Sequence, residues 1–265
     1  MTKFKDKTAW ITGATSGIGE ELTYQLNAQQ AKLIISSRRE DELLRVRDHC
    51  KYPENVTIQI LDLEKAETFP GIVETIIKKT GGVDYLFNNG GVSQRANAHE
   101  TSLEVDRQIM EINFFGNIAL TKALLPHMIE RKNGHIVITS SVAGKFGFFL
   151  RSAYSASKHA LHGFYESLRL EQLTNNIKVT LIAPGFVHTK MSQNALSGDG
   201  NKHGVMDIHQ RKGLTATVCA DKILEAVIKE KEEVVFGKKE SFGVLLKRYL
   251  PGLFRRMIRK QSPTG

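Results

Sequence analysis

The sequence is poor in cysteine and contains no long apolar run. Cys50 and Cys219 are the only thiols in 265 residues. They lie far apart and outside any paired Cys/His spacing, which supports neither a disulfide framework nor a structural zinc site. The expectation is a metal-free chain in a reducing, cytoplasmic setting. No stretch approaches the roughly 18–20 apolar residues of a membrane span, and Met1 to Lys7 is polar rather than signal-like. Secretion and membrane spanning are therefore not expected. Internal repeats, low-complexity tracts and Pro-rich linkers, which would mark a second domain, are also lacking. With 41% hydrophobic and 25% charged residues, the composition is that of a compact globular protein.

The net charge of +9 invites a nucleic-acid reading, but its distribution argues against one. From Lys238 onward eight basic residues accompany a single acid, Glu240, so seven of the nine net charges belong to one end. The nearly balanced body, residues 1–237, is not expected to bind nucleic acid. Residues 238–265 form a separate basic extension.

Within the body, short β-branched runs alternate with longer helical patterns, the signature of βαβ units and a parallel sheet. Strands are predicted at Thr8–Thr12, Lys32–Ser36, Val56–Leu61, Tyr85–Asn88, His135–Ser140, Lys178–Ala183 and Glu233–Phe236. Helices are predicted at Ile18–Asn27, Asp41–His49, Glu67–Lys78, Leu103–Glu130, Ala153–Leu173 and Ala220–Lys229. The fold class is α/β, a doubly wound parallel seven-stranded sheet of Rossmann type with helices on both faces. The Gly-, Ser-, Asn- and His-rich stretch at about 191–216 follows a late strand, where a lid over the carboxyl edge of the sheet is expected.

Directly after the first strand comes Thr12-Gly13-Ala14-Thr15-Ser16-Gly17-Ile18-Gly19, opening into a helix. Glycine allows a tight turn and close approach to a pyrophosphate, and the helix N-terminus favours the anion. The Lys-Ser/Thr of a nucleotide-hydrolysing P-loop is missing. The second strand ends in Ser36-Ser37-Arg38-Arg39, with no acid to hold a ribose 2′-hydroxyl. Ser37 and Arg38 can instead hold a 2′-phosphate, so NADP(H) is expected over NAD.

Tyr154 and Lys158 stand four apart in a predicted helix and share one face. A neighbouring ammonium favours phenolate, which makes such a pair useful for moving a proton to or from an oxygen. Tyr165 and Arg169 have the same spacing, so spacing alone does not decide. Thirteen residues before Tyr154, an apolar strand ends in Ser140-Ser141 and brings a hydroxyl to the edge where ligands bind.

With these marks in place the chain resembles the short-chain dehydrogenase/reductase family, in its single-domain NADP-dependent branch. The resemblance rests on T-G-x-x-x-G-x-G at Thr12–Gly19, Asp62, Asn88-Asn89-Gly90-Gly91, Asn113, Ser141, Tyr154-x-x-x-Lys158 and Pro184-Gly185 followed by Thr189. It implies Tyr154 as general acid or base, Lys158 as partner and ribose ligand, Ser141 as hydrogen-bond donor to the substrate oxygen, and Asn113 as holder of a relay water. It also implies cofactor contacts from Gly13, Thr15, Ser16, Gly17, Ile18, Gly19, Ser37, Arg38, Asp62, Asn89, Tyr154, Lys158, Val187 and Thr189. Asn88 is expected to brace the sheet through backbone hydrogen bonds. Gly90 stands where the family usually has alanine, and Phe149 where proline is frequent. The family's habit of pairing its long fourth and fifth helices implies a homodimer or homotetramer.

The resulting expectation is an NADP(H)-dependent oxidoreductase interconverting a carbonyl and an alcohol. The alternative is a non-catalytic NADP-binding regulator or scaffold that keeps the fold. Phe146, Phe148, Phe149 and Leu150 offer an apolar pocket wall for a lipophilic ketone or aldehyde, or else core or subunit contacts. In the extension, Phe242, Leu245, Leu246, Tyr249, Leu250, Leu253, Phe254, Met257 and Ile258 follow helical spacing among basic residues, and Pro251 breaks the run into two helices near Leu250–Gly252. Such an element either packs on the body or a partner subunit, or gives peripheral contact with an anionic membrane through Ser241–Lys260.

Overall fold

The computed structural model describes residues 3–260; Met1 and Thr2 of the polar start and residues 261–265 of the basic extension lie outside it. Seven strands form one parallel sheet: β1 (Thr8–Thr12), β2 (Lys32–Ser37), β3 (Val56–Ile60), β4 (Tyr85–Asn88), β5 (Gly134–Thr139), β6 (Ile177–Pro184) and, last in the chain, Glu233–Phe236. Their spatial order is β3-β2-β1-β4-β5-β6 followed by that last strand. The order reverses between β1 and β4, and ligands bind above such a switch point. All five residues of β1 are buried, as expected of a strand covered on both faces.

Alternate residues of each strand feed two cores. Ala9, Ile11 and Ile35 face α1 (Gly17–Ala28), while Trp10, Ile34, Leu86 and Ile136 face the opposite layer. That layer comprises α3 (Phe69–Thr80), α4 (Leu103–Met110), α5 (Gly116–Glu130) and α6 (Ser152–Glu171); α2 (Glu40–Asp48) lies on the α1 side, where its Leu43 and Val46 share the core of Ile11 and Ile35. Burying each such Ile or Leu contributes about 1.5–3 kcal/mol.

The long helix expected over Leu103–Glu130 is interrupted by a π-helical turn, Glu111–Phe115. The cause is side-chain competition for backbone groups. Asn117 Nδ2 donates to the carbonyls of Ile112 (3.1 Å), Asn113 (3.0 Å) and Gly90 (3.3 Å), and Asn113 is tied to Val92. π-bulges of this kind occur frequently at functional sites.

Asn88 stands opposite Ile138 in the β4–β5 pairing, as expected of a residue bracing the sheet, and its side chain also joins the sheet to the helices. Its Nδ2 donates to Thr121 Oγ1 (2.8 Å) and Tyr165 Oη (3.0 Å). Tyr165 is buried and unrelated to Arg169, whose guanidinium reaches the Val179 and Glu232 carbonyls.

The stretch around 191–216 is less irregular than expected. β7 (Val187–His188) pairs in parallel with β8 (Leu214–Thr215), α7 (Ile208–Arg211) lies between them, and α8 starts at Ala216 and runs to Ile228. Thr215 Oγ1 caps α8 by accepting from the Val218 amide at 3.2 Å, which starts the helix four residues before the expected Ala220. The segment is stitched to residues 93–95 through Leu196, whose N–H donates to Ser93 and whose carbonyl accepts from Arg95.

After β9 (Glu233–Phe236), the extension folds as two helices, α9 (Lys239–Tyr249) and α10 (Pro251–Ile258), with Pro251 at the first position of the second. Its apolar residues divide. Leu246, Phe254, Met257 and Ile258 pack on Val142, Phe146 and Phe148 of the body, whereas Phe242, Leu245, Tyr249, Leu250 and Leu253 are each more than half exposed. Glu240 Oε1 accepts from the Phe186 amide at 2.9 Å, which ties α9 to the loop after β6. Among the described residues no helix is long and apolar enough to cross a membrane.

Candidate active site

A cavity of about 420 Å³ runs along the carboxyl edge of the sheet, from the end of β2 across the switch point to α6 and the segment after β7. That volume falls in the range of small-molecule sites.

One end is built by the turn after β1. Gly13 and Gly17 take φ of +65° and +58°, conformations that favour glycine. A Cβ on Gly17 would press on Thr189 Cγ2 at 2.8 Å and one on Gly13 would meet Gly90 Cα at 2.9 Å, so both loops pack against the turn. Ser16 precedes α1 without making a side-chain cap, which leaves the first-turn amides available to an anion. Thr12 Oγ1 accepts the amides of Asn89 (3.1 Å) and Gly90 (2.9 Å) and locks the loop after β4 beside the turn. These features fit a dinucleotide pyrophosphate.

Of the residues expected at the cofactor, Gly13, Thr15, Ser16, Gly17, Ile18, Ser37, Arg38, Asp62, Asn89, Val187 and Thr189 line the cavity. Gly19 does not. It lies under the turn, where a Cβ would collide with the Gly13 carbonyl. Asn89 Nδ2 donates to the Thr12 carbonyl at 3.2 Å, and Asp62 accepts from the Glu64 amide. Arg38 meets the Glu64 carboxylate at 3.5 Å. Arg39, which the expected set omits, also lines the cavity and donates to Thr15 Oγ1 at 3.4 Å.

At the other end, Ser141, Tyr154 and Lys158 line the same cavity. Ser140 is turned inward to the Lys158 carbonyl (3.3 Å) and His162 Nε2 (3.0 Å), whereas Ser141 Oγ accepts the Ala143 amide at 3.1 Å and is hydrogen-bonded to the Tyr154 phenol. Lys158 Nζ donates to the Thr139 carbonyl at 2.8 Å and lies 5.8 Å from the centre of the Tyr154 ring. Burial pulls its ammonium down to about 8. Burial also raises the Tyr154 phenol, opposed by Ser141 and by the charges of Arg151 and Arg95. Arg151 and Arg95, which sequence spacing did not single out, thus add to Lys158 as cations near the phenol.

Asn113 is fully buried behind the cavity rather than on its wall. Its side chain accepts from the Val92 amide (2.8 Å) and donates to the Val92 carbonyl (2.9 Å) and Ser157 Oγ (3.0 Å). Gln94, another residue absent from the expected set, accepts the amides of Ala153 (2.8 Å) and Tyr154 (3.3 Å) and so caps α6 at the tyrosine. A lone glutamine in a loop carries no motif that would reveal this role. Of the four apolar residues expected as a wall, Phe148 alone lines the cavity; Phe146 is covered by the extension, and Phe149 is 42% exposed.

The sequence model of the short chain dehydrogenase family matches residues 7–200. The chain belongs to the short-chain dehydrogenase/reductase family. It is 41% identical over 263 residues to the dehydrogenase/reductase SDR family protein 7-like of Anopheles gambiae, covering 97% of this chain and 83% of that one. It is also 41% identical over 258 residues to mouse dehydrogenase/reductase SDR family member 7B, covering 95% and 80%. A solved short-chain dehydrogenase from Streptomyces avermitilis superposes with a TM-score of 0.80 at 28% identity, covering 96% of each chain. One from Burkholderia phymatum, solved in complex with NAD, superposes with a TM-score of 0.82 at 24% identity, covering 100% of this chain and 99% of that one, and shares the fold. This family member is an oxidoreductase with a single-domain Rossmann-type sheet.

Proposed function

We propose that the chain is an NADP(H)-dependent enzyme that interconverts a carbonyl and an alcohol, with Tyr154 moving the proton. The observation that carries this reading is the convergence of Ser141, Tyr154 and Lys158 on one cavity with the glycine turn. NADPH, when bound, supplies the hydride. The turn from Gly13 to Ile18 holds the pyrophosphate, and Lys158 holds the nicotinamide ribose. Ser141 orients the substrate oxygen, and Tyr154 donates its proton to that oxygen as negative charge develops. The raised phenol is protonated at neutral pH, which suits the reductive direction. Asn113 stiffens the helix turn against Val92. NADP(H) is favoured over NAD by two guanidiniums, Arg38 and Arg39, at the adenosine end, where Ser37 replaces an acid. Screening the purified protein for NADPH oxidation with a carbonyl panel tests the reading. Tight NADPH binding without turnover of any compound contradicts it.

A second proposal concerns the extension. The exposed Phe242, Leu245, Tyr249, Leu250 and Leu253, with five cations on the same two helices (Lys239, Lys247, Arg248, Arg255 and Arg256) and two just beyond them (Arg259 and Lys260), support peripheral contact with an anionic membrane surface.

A further inference from the structure

The substrate end of the cavity holds more positive charge than its own carboxylates neutralise. Arg151 lies immediately before α6, three residues from Tyr154, and lines the cavity. Its guanidinium sits 5.8 Å from the centre of the Phe148 ring and 5.9 Å from that of Phe186. It donates to Asp207 Oδ2 at 2.8 Å. Arg95, its side chain 3% exposed, donates to the same oxygen of the same carboxylate. Two guanidiniums therefore share one acid and leave a unit of positive charge facing the cavity. Lys202 adds a further cation to the wall. Among the residues lining the cavity the one carboxylate is Asp62, at the adenosine end.

Such an arrangement is costly unless something completes it. Burial pulls both guanidiniums down from the usual arginine range, Arg95 also through repulsion by Arg151, and the single carboxylate of Asp207 offsets one of the two charges. Arginine does not respond by losing its proton, so the imbalance persists until an anion arrives. Asp207 occupies one edge of the Arg151 fork. Among the described residues its other donors have no hydrogen-bond partner, and a planar fork matches a carboxylate or phosphate in two-point contact. Phe148, Met191 and Leu196 line the same end, so apolar surface adjoins the charge.

We infer that Arg151, backed by Arg95 and assisted by Lys202, selects carbonyl substrates that carry an anionic group, a carboxylate or a phosphate monoester, on an apolar chain. The inference rests on the reductase reading above and deepens it by naming the substrate class. Anchoring the anion at Arg151 places the rest of the molecule along the wall toward Tyr154 and Ser141. The same two arginines favour the phenolate of Tyr154, so an effect on binding must be separated from an effect on the proton transfer itself.

The test uses the full chain at saturating NADPH and low salt, with a medium-chain keto carboxylate, its methyl ester and a keto phosphate monoester of matching length. Charge-assisted hydrogen bonds of this kind predict a preference for an anionic compound over the ester of about ten- to a hundredfold in kcat/KM. The larger of the two anionic preferences names the carboxylate or the phosphate. Arg151→Gln brings the ratio toward one through KM, and Lys202→Gln lowers it partway. Equal reduction of ester and anions by the native enzyme, or an equal loss for all three compounds in Arg151→Gln, overturns the inference. A binding readout covers variants that fold poorly or compounds that do not turn over. A saturated carboxylate and an alkyl phosphate are expected to raise the melting temperature of the native NADPH complex, and the matching amide is not. If an anion stabilises the complex but no compound is reduced, the reductase reading fails and the anion site stands. If neither anion does better than the amide, the anion site fails.

Discussion

The side-chain oxygen of Gln94 accepts the backbone amide of Tyr154 at 3.3 Å, and that of Ala153 at 2.8 Å, so a loop residue sixty positions away sets where α6 begins. Gln94 is fully buried, and its Nε2 donates to Thr101 and Ser152. Replacing Gln94 by Ala leaves two buried amides without an acceptor, a cost of about 1–3 kcal/mol. Gln94→Ala is expected to lower stability by that order and to lower kcat while the affinity for NADPH holds. Denaturant unfolding and steady-state kinetics check both; an unchanged kcat contradicts the positioning role.

Tyr154→Phe removes the proton donor and little else. Turnover is expected to vanish with NADPH affinity within a few-fold of native, whereas Lys158→Ala weakens both. Substantial turnover by Tyr154→Phe across the responsive substrates contradicts the assignment.

Reduction is expected to weaken as pH rises past about 8. Lys158, lowered by burial to about 8, is charged below that value and neutral above it. Tyr154, raised by burial, keeps its proton over the same interval, so the loss is assigned to the lysine. A profile of kcat/KM against pH with a limb near 8 is expected. A level profile through pH 10 contradicts it.

NADPH is expected to bind more tightly than NADH by roughly ten- to a hundredfold. Ser37→Asp combined with Arg38→Leu reverses the order, and Arg39→Leu alone reduces it, since Arg39 lines the same end of the cavity. Fluorescence titration of the two cofactors checks this, and equal dissociation constants contradict it.

The extension is best tested without truncation, because α9 and α10 cover Phe146 and Val142. Leu245→Ser, Tyr249→Ser and Leu253→Ser together change exposed positions only. Co-sedimentation with anionic vesicles at low salt is expected to fall in this triple variant. Equal sedimentation of native and variant protein contradicts membrane contact.

Local sequence alone determined the alternation of strands and helices, the seven-stranded sheet, the glycine turn, and the break in the extension at Pro251. Each follows from a short-range rule: periodicity, the φ freedom of glycine, the ring of proline. What depends on distant partners was decided only by the tertiary structure. The π turn at Glu111–Phe115 needs Asn113 to meet Val92 and Asn117 to meet Gly90. The inward turn of Ser140 needs His162 beside it. The apolar stripe of the extension divides because Phe146 is there to receive Leu246 and Phe254 but not Leu245 or Leu253. The two arginines around Asp207 come from segments 56 residues apart and meet a carboxylate a further 56 residues on. Their shared charge is a property of burial. A linear sequence shows the presence of those three residues but not their shared burial, on which the proposed anion site depends.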